Sequence, residues 1–339
     1  MDAPPVQYVT TSDGYTIAYA VSGESIPLVF VPPTFSNVQL VWRFYPDWLE
    51  GLAARFRLIQ YDSRGEGMST RGLPQDLSFS DFDRDIEAVI DRLKPQKLIL
   101  WGWGSRAHIA VRYAVAHPER VQALILHTCA ASNAAWKSDI FDVTAETWEF
   151  LLRSLAGMNA QGQTREELVR LHDDFRTCVT YDDFRRMQHV SFASSVEAVL
   201  PKLAMPVLVL HQREHFTLAP EESMKLAAMI PNGRFVLLDT HAMFGNANQG
   251  LAAIDRFLNE ALLVEVAVDA LQPHLPSGLS QREIEVLRLV AAGRSNQQIA
   301  DQLVISLNTV RRHVSNVFDK TGVANRTEAS VYARDRGLA

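Results

Sequence analysis

The sequence predicts an α/β fold with a mostly parallel sheet and a helical cap, followed by a small all-α domain. Short β-rich runs alternate with helical patterns up to about residue 263, and a charged helical stretch at 130–200 interrupts them. Four short helical patterns without strands come after a proline-containing segment. We therefore predict a domain at 1–263 with a cap at about 130–200, a linker at 264–277 and a second domain at 278–339.

The elements of the first domain follow from short β-branched runs bounded by turn residues and from apolar residues at helical spacing. The strands are predicted at Val6–Thr11, Tyr15–Val21, Ile26–Val31, Phe56–Tyr61, Lys97–Trp101, Val121–His127, Pro206–His211 and Arg234–Asp239. The helices outside the cap are predicted at Val38–Arg55, Phe79–Leu93, Ser105–Ala116, Glu221–Met229 and Gln249–Leu263. Because the cap is inserted after the sixth strand, we expect it over the carboxyl ends of the strands, where such folds bind ligands.

Composition and charge narrow the class of protein. Hydrophobic residues make up 47% of the 339 residues and charged residues 21%, which is typical of a globular chain. The net charge is −6, but nine Lys/Arg against six Asp/Glu give residues 277–339 a net charge of +3, and the rest carries −9. With two cysteines, no signal pattern and no membrane-spanning apolar run, we expect a cytoplasmic protein without disulfides, metals or cofactors.

The C-terminal domain has the pattern of a helix-turn-helix. Helices are predicted at Leu279–Ala292, Asn296–Leu303, Ser306–Lys320 and Thr327–Arg336. In the third helix, which Ser306 would cap, Val310, Val314, Val317 and Phe318 form an apolar stripe. The opposite side is polar and basic, as a helix that reads the major groove of double-stranded DNA requires.

The motifs REIEVL, AAG, SNQQIA, S-x-x-TV-x-x-H and KTGVANRTEA occur in register over residues 279–338, which resemble the LuxR-type helix-turn-helix domain. The resemblance implies homodimers that bind two half-sites. It also implies base contacts by Arg311, Arg312 and Ser315, and phosphate contacts by Asn296, Thr309, Lys320 and Arg326. His313 borders the packed face of the helix, so we expect it to have a packing role.

The segments DSRGEGMS (62–69), LILWGWGSRAH (98–108), PVLVLHQREH (206–215) and LLDTHAMF (237–244) make residues 6–263 resemble a capped α/β-hydrolase fold. Hydrolysis on this fold requires a nucleophile, a base, an acid and an oxyanion hole. The alignment places Gly104 at the nucleophile, His215 at the acid and His241 at the base. Pro32-Pro33 replaces the usual oxyanion-loop sequence, and proline has no N–H.

The altered positions predict a sensor that binds a small, mostly apolar ligand without hydrolysing it. The candidate lining residues are Thr34, Phe35, Trp103, Gly104, Ser105, Trp136, Trp148, His215 and His241. Arg64 is interpreted as a structural ion-pair partner. Two alternatives remain open. One is an active ester or lactone hydrolase fused to a DNA-binding domain, using Ser105 or a water activated by His241. The other is a constitutive DNA-binding protein whose large domain only dimerises.

Overall fold

The computed structural model describes residues 3–136, 142–159, 164–215, 217–239, 246–271, 281–303, 307–321, 323 and 325–335. The chain forms two compact units, residues 1–259 and 260–339, which are described separately below. Cys129 and Cys178 are both buried and not disulfide-bonded. Within the described ranges, no helix combines the length and apolarity needed to cross a membrane.

The first unit is built on an eight-stranded sheet with the order β1-β2-β4-β3-β5-β6-β7-β8. Strand β2 is antiparallel to β1 and β4, and all other neighbours are parallel. The strands are β1 Gln7–Thr10, β2 Thr16–Ser22, β3 Pro27–Val31, β4 Arg57–Tyr61, β5 Leu98–Trp103, β6 Val121–His127, β7 Val207–Gln212 and β8 Gly233–Leu238. The central strands are buried throughout, because helices cover both faces. This architecture confirms the predicted α/β fold.

Helices connect the strands close to the predicted positions. They are α1 Val41–Phe44, α2 Pro46–Ala53, α3 Asp81–Leu93, α4 Ala107–Ala116, α8 Pro220–Ala228 and α9 Ala247–Leu271. The single helix predicted at Val38–Arg55 is wrong. Tyr45 leaves the helical conformation (φ −136°, ψ 52°) and Pro46 begins a new helix, because the residue before a proline disfavours helical geometry.

The cap contains α5 Trp148–Asn159, α6 Arg165–Cys178 and α7 Tyr181–Phe192. The predicted start of the helical stretch at residue 130 is wrong, since the described part of 130–147 holds only a short 3-10 turn at Asn133–Ala135. Buried Asp183, near the start of α7, accepts hydrogen bonds from the backbone N–H groups of Gly72 and Leu73. This carboxylate therefore fastens the cap to the loop after β4.

The predicted linker at 264–277 needs a correction. Helix α9 continues to Leu271, eight residues beyond the predicted end at Leu263. The extension, VEVAVDAL, contains neither glycine nor proline, so nothing in its sequence ends a helix. Pro273 and Pro276, the prolines of the predicted linker, lie outside the described residues.

The second unit packs four helices around a small apolar core. They are α10 Gln281–Ala291, α11 Asn296–Leu303, α12 Leu307–Thr321 and α13 Arg326–Asp335. Gly293 ends α10 in a left-handed conformation (φ 76°), and the N–H of Arg294 donates to the carbonyl of Leu289. Val286, Ile299, Val310, Val317 and Ala329 are fully or almost fully buried in this core. The four-helix prediction is confirmed, while Ser306 lies outside the described residues.

Candidate functional site

Gly104, which the sequence predicted at the nucleophile position, lies in the turn directly after β5. Gly104 has a φ of 70° and is buried, and it opens a 3-10 turn, Gly104–Arg106, that leads into α4. The strand reaches Trp103, two residues beyond its predicted end, which gives the register that puts glycine at the turn. Glycine accepts this left-handed backbone but has no side chain that could attack a substrate.

The positions on either side of the turn differ from one another. A Cβ on Gly102 would lie 2.8 Å from the Cα of Ala107, so strand and helix approach too closely for a side chain. In the usual elbow a glycine also stands two residues after the nucleophile position. Here that residue is Arg106, which is fully buried and extends toward the loop after β4. Its NH1 donates to Oε2 of Glu66 at 2.6 Å, and neither side chain of this ion pair is exposed.

Glu66 also hydrogen-bonds to the loop after β3. Its Oε1 accepts from the backbone N–H of Phe35 at 2.7 Å. Burial raises the pKa of Glu66, while Arg106 and the N–H groups of Phe35 and Ser36 oppose that shift. In active members this loop supplies an N–H to the oxyanion hole. Here Pro32 and Pro33 have no N–H, and that of Phe35 is already bound to a side chain of the same chain.

Phe35 and Trp148 lie together in an aromatic cluster beneath the cap. Their rings stack with centroids 5.9 Å apart, and Phe184 of α7 contacts both. Both predicted residues are less than 10% exposed, at 6% for Phe35 and 8% for Trp148. They therefore join the β3 loop to the cap, and Thr34 beside them is half-buried.

Trp103 and His127 lie side by side at the ends of β5 and β6. Their rings stack at 4.3 Å with an interplanar angle of 14°. The amide of Gln212, at the end of β7, lies 3.2 Å from Nε2 of His127, and burial lowers the pKa of that imidazole well below 6.5. Because the amide nitrogen is the donor, His127 carries its proton on Nδ1, which has no partner among the described residues.

The predicted residues Ser105, Trp136 and His215 are connected through Asn133. The side-chain amide of Asn133 donates to the carbonyl of Ser105 at 2.7 Å, and its oxygen accepts from Nε1 of Trp136 at 3.1 Å. The ring of Trp136 meets His215 edge-on at 5.8 Å. The turn after β5, the start of the cap and the loop after β7 are thus in contact with one another.

His215, which the sequence predicted at the acid position, lies in the loop after β7. Its Nδ1 accepts from the hydroxyl of Thr217 at 3.2 Å, and burial lowers its pKa to about 3. A neutral imidazole cannot stabilise a protonated base as a carboxylate does. His241, predicted at the base position, lies outside the described residues. Within the described ranges, no group of three potential ligand side chains could hold a metal ion.

Arg64 has the structural role that the sequence indicated. Its Nε donates to Asp85 at 2.8 Å and its NH1 to Asp13 at 2.7 Å. The hydrogen bonds from Arg64 hold the pKa of Asp13 far below 3.8, whereas burial raises the pKa of Asp85 to about 7. This side chain fixes the loop after β4 to α3 and the β1–β2 turn.

The third helix of the second unit, α12, presents the residues expected to contact bases. Arg311, Arg312 and Ser315 are all exposed, on the side opposite Val310 and Val317. Thr309 is half-buried. His313 is half-buried and its Nδ1 is buried, which fits the expected packing role.

The residues expected to contact phosphates also make contacts inside this unit. Lys320 Nζ lies 2.7 Å from Oε2 of Glu283, whose side chain is only 3% exposed, whereas Lys320 is 40% exposed. Arg326 donates to Oδ1 of Asn296 at 3.0 Å and to the carbonyl of Arg294. These cations are therefore held in place before any DNA is bound.

Several residues of the site were missed in the sequence. Glu66 stands between Gly65 and Gly67, and a charged residue between two glycines could have indicated a functional loop position. Both glycines adopt positive φ, at 84° and 51°. Arg106 had no local signal, because its partner Glu66 lies 40 residues away along the chain. Asn133 had no signal, because the two carbonyls to which its amide donates lie 28 and 58 residues away along the chain.

Comparisons with known proteins match the two units separately. The model of the bacterial regulatory proteins of the luxR family matches residues 277–333, and that of the alpha/beta hydrolase fold matches 27–161. The transcriptional regulatory protein LiaR of Bacillus subtilis is 43% identical over 66 residues, which are 20% of this chain and 30% of LiaR. The response regulator VraR of Staphylococcus aureus is 47% identical over 60 residues, which are 18% of this chain and 29% of VraR. The chain thus spans less than a third of either regulator.

Several matches to the first unit are hydrolases. RutD of Pseudomonas savastanoi pv. phaseolicola, a proposed carbamate hydrolase, is 25% identical over 210 residues, 58% of this chain and 80% of RutD. A hydrolase from Pseudomonas aeruginosa PA01 superposes with a TM-score of 0.65 at 19% identity, over 76% of this chain and 99% of that one. The enol-lactonase from Burkholderia xenovorans LB400 gives 0.63 at 20% identity, over 75% and 100%. At these identities the structures establish the fold alone.

Proposed function

Since this chain joins an α/β-hydrolase-fold domain to a luxR-family helix-turn-helix domain, we propose that it is a transcription regulator whose hydrolase-fold domain binds a small molecule without hydrolysing it. Sequence-specific binding to double-stranded DNA is assigned to α12, through Arg311, Arg312 and Ser315. The ligand is small and mostly apolar. The protein acts as a homodimer on two half-sites, in the cytoplasm.

The hydrogen bond between Phe35 and Glu66 carries the non-catalytic part of this proposal. Hydrolysis requires a free N–H where negative charge develops on the substrate oxygen. In the loop after β3, the N–H of Phe35 donates to Oε1 of Glu66 at 2.7 Å, and Arg106 donates to the other carboxylate oxygen at 2.6 Å. Because this N–H is already taken up by Glu66, it is not free to stabilise a negative substrate oxygen.

The other catalytic positions support the same proposal. Gly104 has no nucleophile, and neutral His215 stands where a carboxylate would orient the base. Ser105, the alternative nucleophile, is half-buried one residue beyond the strained position, and Asn133 binds its carbonyl. A fold that has lost these parts together but kept its aromatic surroundings is suited to binding.

An active hydrolase remains the second candidate. The similarity to hydrolases over most of the first unit favours it, and the base position His241 is retained in the sequence. Turnover of p-nitrophenyl acetate by the full-length protein and by His241→Ala separates the two candidates. We expect both rates to equal that of buffer, and turnover that disappears in the variant would establish an enzyme instead.

Regulation requires that the ligand bind the DNA-competent and DNA-incompetent arrangements of the dimer unequally. Selection of bound duplexes from a random pool should yield a motif with two related half-sites. Saturation of the first unit with a ligand identified for it should then change the affinity for that motif. If affinity and transcription stayed the same, the first unit would be left with a purely dimerising role.

A further inference from the structure

A pocket of the first unit lies apart from the turn after β5. It has a volume of about 270 Å³ and is formed by α3, the second half of α4 and the segment 195–199 that follows α7. Pockets that hold drug-sized ligands measure about 300–1,000 Å³, so this pocket suits a smaller molecule. Its lining includes Asp83, Glu87, Arg112, Tyr113, Val196 and Val199.

Helix α4 separates this pocket from the turn that holds Gly104. The residues of α4 that line the pocket, at 112–116, lie about 8–14 Å along the axis from the start of the helix. On the other side of the pocket, Ser195 forms a β-bridge with Ser132, in the segment that leads into the cap. None of the described residues proposed for the ligand site lines this pocket. It is therefore a separate cavity beside the base of the cap.

The charged side chains of the pocket leave one carboxylate available to a ligand. Arg112 donates from Nε and NH2 to the carboxylate of Asp83, at 2.9 and 2.5 Å, so these two charges are matched. The side chain of Glu87 is 48% exposed, and its described ion-pair contact is with Nε2 of His117 at 4.0 Å, the limit for such a pair. Residues 1–276 carry a net charge of −9, which also attracts cations.

The remaining lining side chains are apolar or neutral. Val196 is 2% exposed, and Val199 is half-buried. Tyr113 is 4% exposed, and its hydroxyl has no hydrogen-bond partner among the described residues. Burial raises the pKa of this phenol to about 12, so it stays neutral and its oxygen can accept a hydrogen bond. A molecule with an apolar part and a positively charged donor therefore matches the lining of this pocket.

We propose that this pocket binds a small organic ammonium ion, with its charge beside Glu87 and its apolar part against Val196 and Val199. An anion does not fit, because it would lie beside Glu87 and would have to displace Asp83 from Arg112. Primary and secondary amines are protonated at neutral pH, and their N–H groups are hydrogen-bond donors. The proposal does not depend on the ligand site beneath the cap, since the two cavities share no described residue.

A disulfide-exchange experiment tests the pocket at a defined position. Ser195 lines it and is exposed, whereas Cys129 and Cys178 are buried. The full-length Ser195→Cys protein is equilibrated at pH 8 with equal amounts of cystamine, bis(2-hydroxyethyl) disulfide and 3,3′-dithiodipropionate, and mass spectrometry measures the mixed disulfides. We expect the aminoethyl adduct to exceed the hydroxyethyl adduct about two- to fivefold, the range for an exposed ion pair. The carboxyethyl adduct should be the least abundant.

Two added substitutions localise the preference for the amine. Glu87→Gln should reduce the ratio of aminoethyl to hydroxyethyl adduct about two- to fivefold. The matched control Glu197→Gln removes an exposed carboxylate two residues from position 195 that does not line the pocket, so the ratio should stay the same. The reagents react with the same cysteine in all three proteins, so their intrinsic reactivity cancels. An unchanged ratio in Glu87→Gln, an equal fall in Glu197→Gln, or a dominant hydroxyethyl or carboxyethyl adduct in Ser195→Cys would overturn the proposal.

Discussion

A side chain added to Gly104 would have the Cβ of Pro33, 3.9 Å away, as its one described neighbour within 4 Å. Among the described residues other than its neighbours in sequence, no atom would therefore clash with a small side chain here. We predict that Gly104→Ser folds and is destabilised by about 1–2 kcal/mol, the cost of a non-glycine residue at φ 70°. It should show no ester turnover, because the N–H of Phe35 still donates to Glu66 and is not free to stabilise a negative substrate oxygen. Urea denaturation and a p-nitrophenyl acetate assay measure the two effects.

Gly102→Ala is the matched control for steric space. Its Cβ would lie 2.8 Å from the Cα of Ala107 and 3.0 Å from the Cβ of Ala110, so the strand and α4 would have to separate. We expect a loss of more than about 2 kcal/mol, since overpacking a close backbone approach costs typically 1–3 kcal/mol or more. If Gly104→Ser were the more destabilised of the two, the space beside Gly104 would not exist.

The buried ion pair between Glu66 and Arg106 predicts a large cost for removing the carboxylate. Glu66→Gln leaves the guanidinium charged and uncompensated, which costs about 3–5 kcal/mol in a fully buried pair. Asp255→Asn is the surface control, because its pair with Arg55 is 37–42% exposed and contributes less than about 1 kcal/mol. Unfolding free energies from denaturant titrations should differ accordingly. Similar losses in the two variants would contradict a structural role for the Glu66 pair.

The sequence predicted those features of the fold that depend on local pattern. Every strand of the first unit was located to within two residues, because β-branched runs and turn residues are local signals. The helix at 38–55 was wrong because Pro46, which begins a second helix, was not treated as a break. The linker was predicted to begin too early, because the sequence before Pro273 continues the helical pattern without a break up to Leu271.

The candidate site was predictable only in part, for a physical reason. Gly104 and His215 could be selected as candidate site residues because each follows a predicted strand closely in the sequence. The contact between Glu66 and Phe35 joins residues 31 apart, and that between Glu66 and Arg106 joins residues 40 apart. Such pairs form only when β3, β4 and β5 come together, so their spacing along the chain carries no signal.

Asp62 predicts a measurable dependence of stability on pH. Burial raises its pKa to about 7 from an ordinary 3.8, so between these values the folded protein binds a proton that the unfolded chain releases. Its contribution to stability is complete below about pH 4 and is lost as pH rises through 7, by up to about 1.4 kcal/mol per pH unit. Asp62→Asn cannot titrate, so it should lack this decline.

The measurement is the difference in unfolding free energy between the wild type and Asp62→Asn at half-unit steps from pH 4 to 9. The unfolding free energy of the wild type should fall relative to that of the variant up to about pH 7. Above pH 7 the difference between the two proteins should stay constant. Asp85, whose pKa is also raised to about 7, and the buried histidines are present in both proteins, so their contributions cancel. A difference that does not vary with pH would show that Asp62 is not buried as a neutral acid.

Arg312 and Lys320 predict two different defects in DNA binding. Arg312 is exposed on α12 and assigned to base edges, so Arg312→Ala should lose sequence preference, at about 1–3 kcal/mol for the cognate duplex. Lys320→Ala should weaken cognate and random duplexes alike and reduce the salt slope. Because Lys320 also binds buried Glu283 at 2.7 Å, this second variant should lose stability as well. Fluorescence anisotropy over a range of salt concentrations measures the affinities for both duplexes and the salt slope.

A further variant separates the two roles of Lys320. Glu283→Gln keeps a hydrogen-bond acceptor for the ammonium but removes the negative charge beside it. The positive charge available to a phosphate then increases, so binding to both duplexes should tighten and the salt slope should steepen. Comparison at equal folded fraction, checked by circular dichroism, excludes unfolding as the cause. If Arg312→Ala and Lys320→Ala weakened cognate and random DNA by the same factors, the division between base and phosphate contacts on α12 would be wrong.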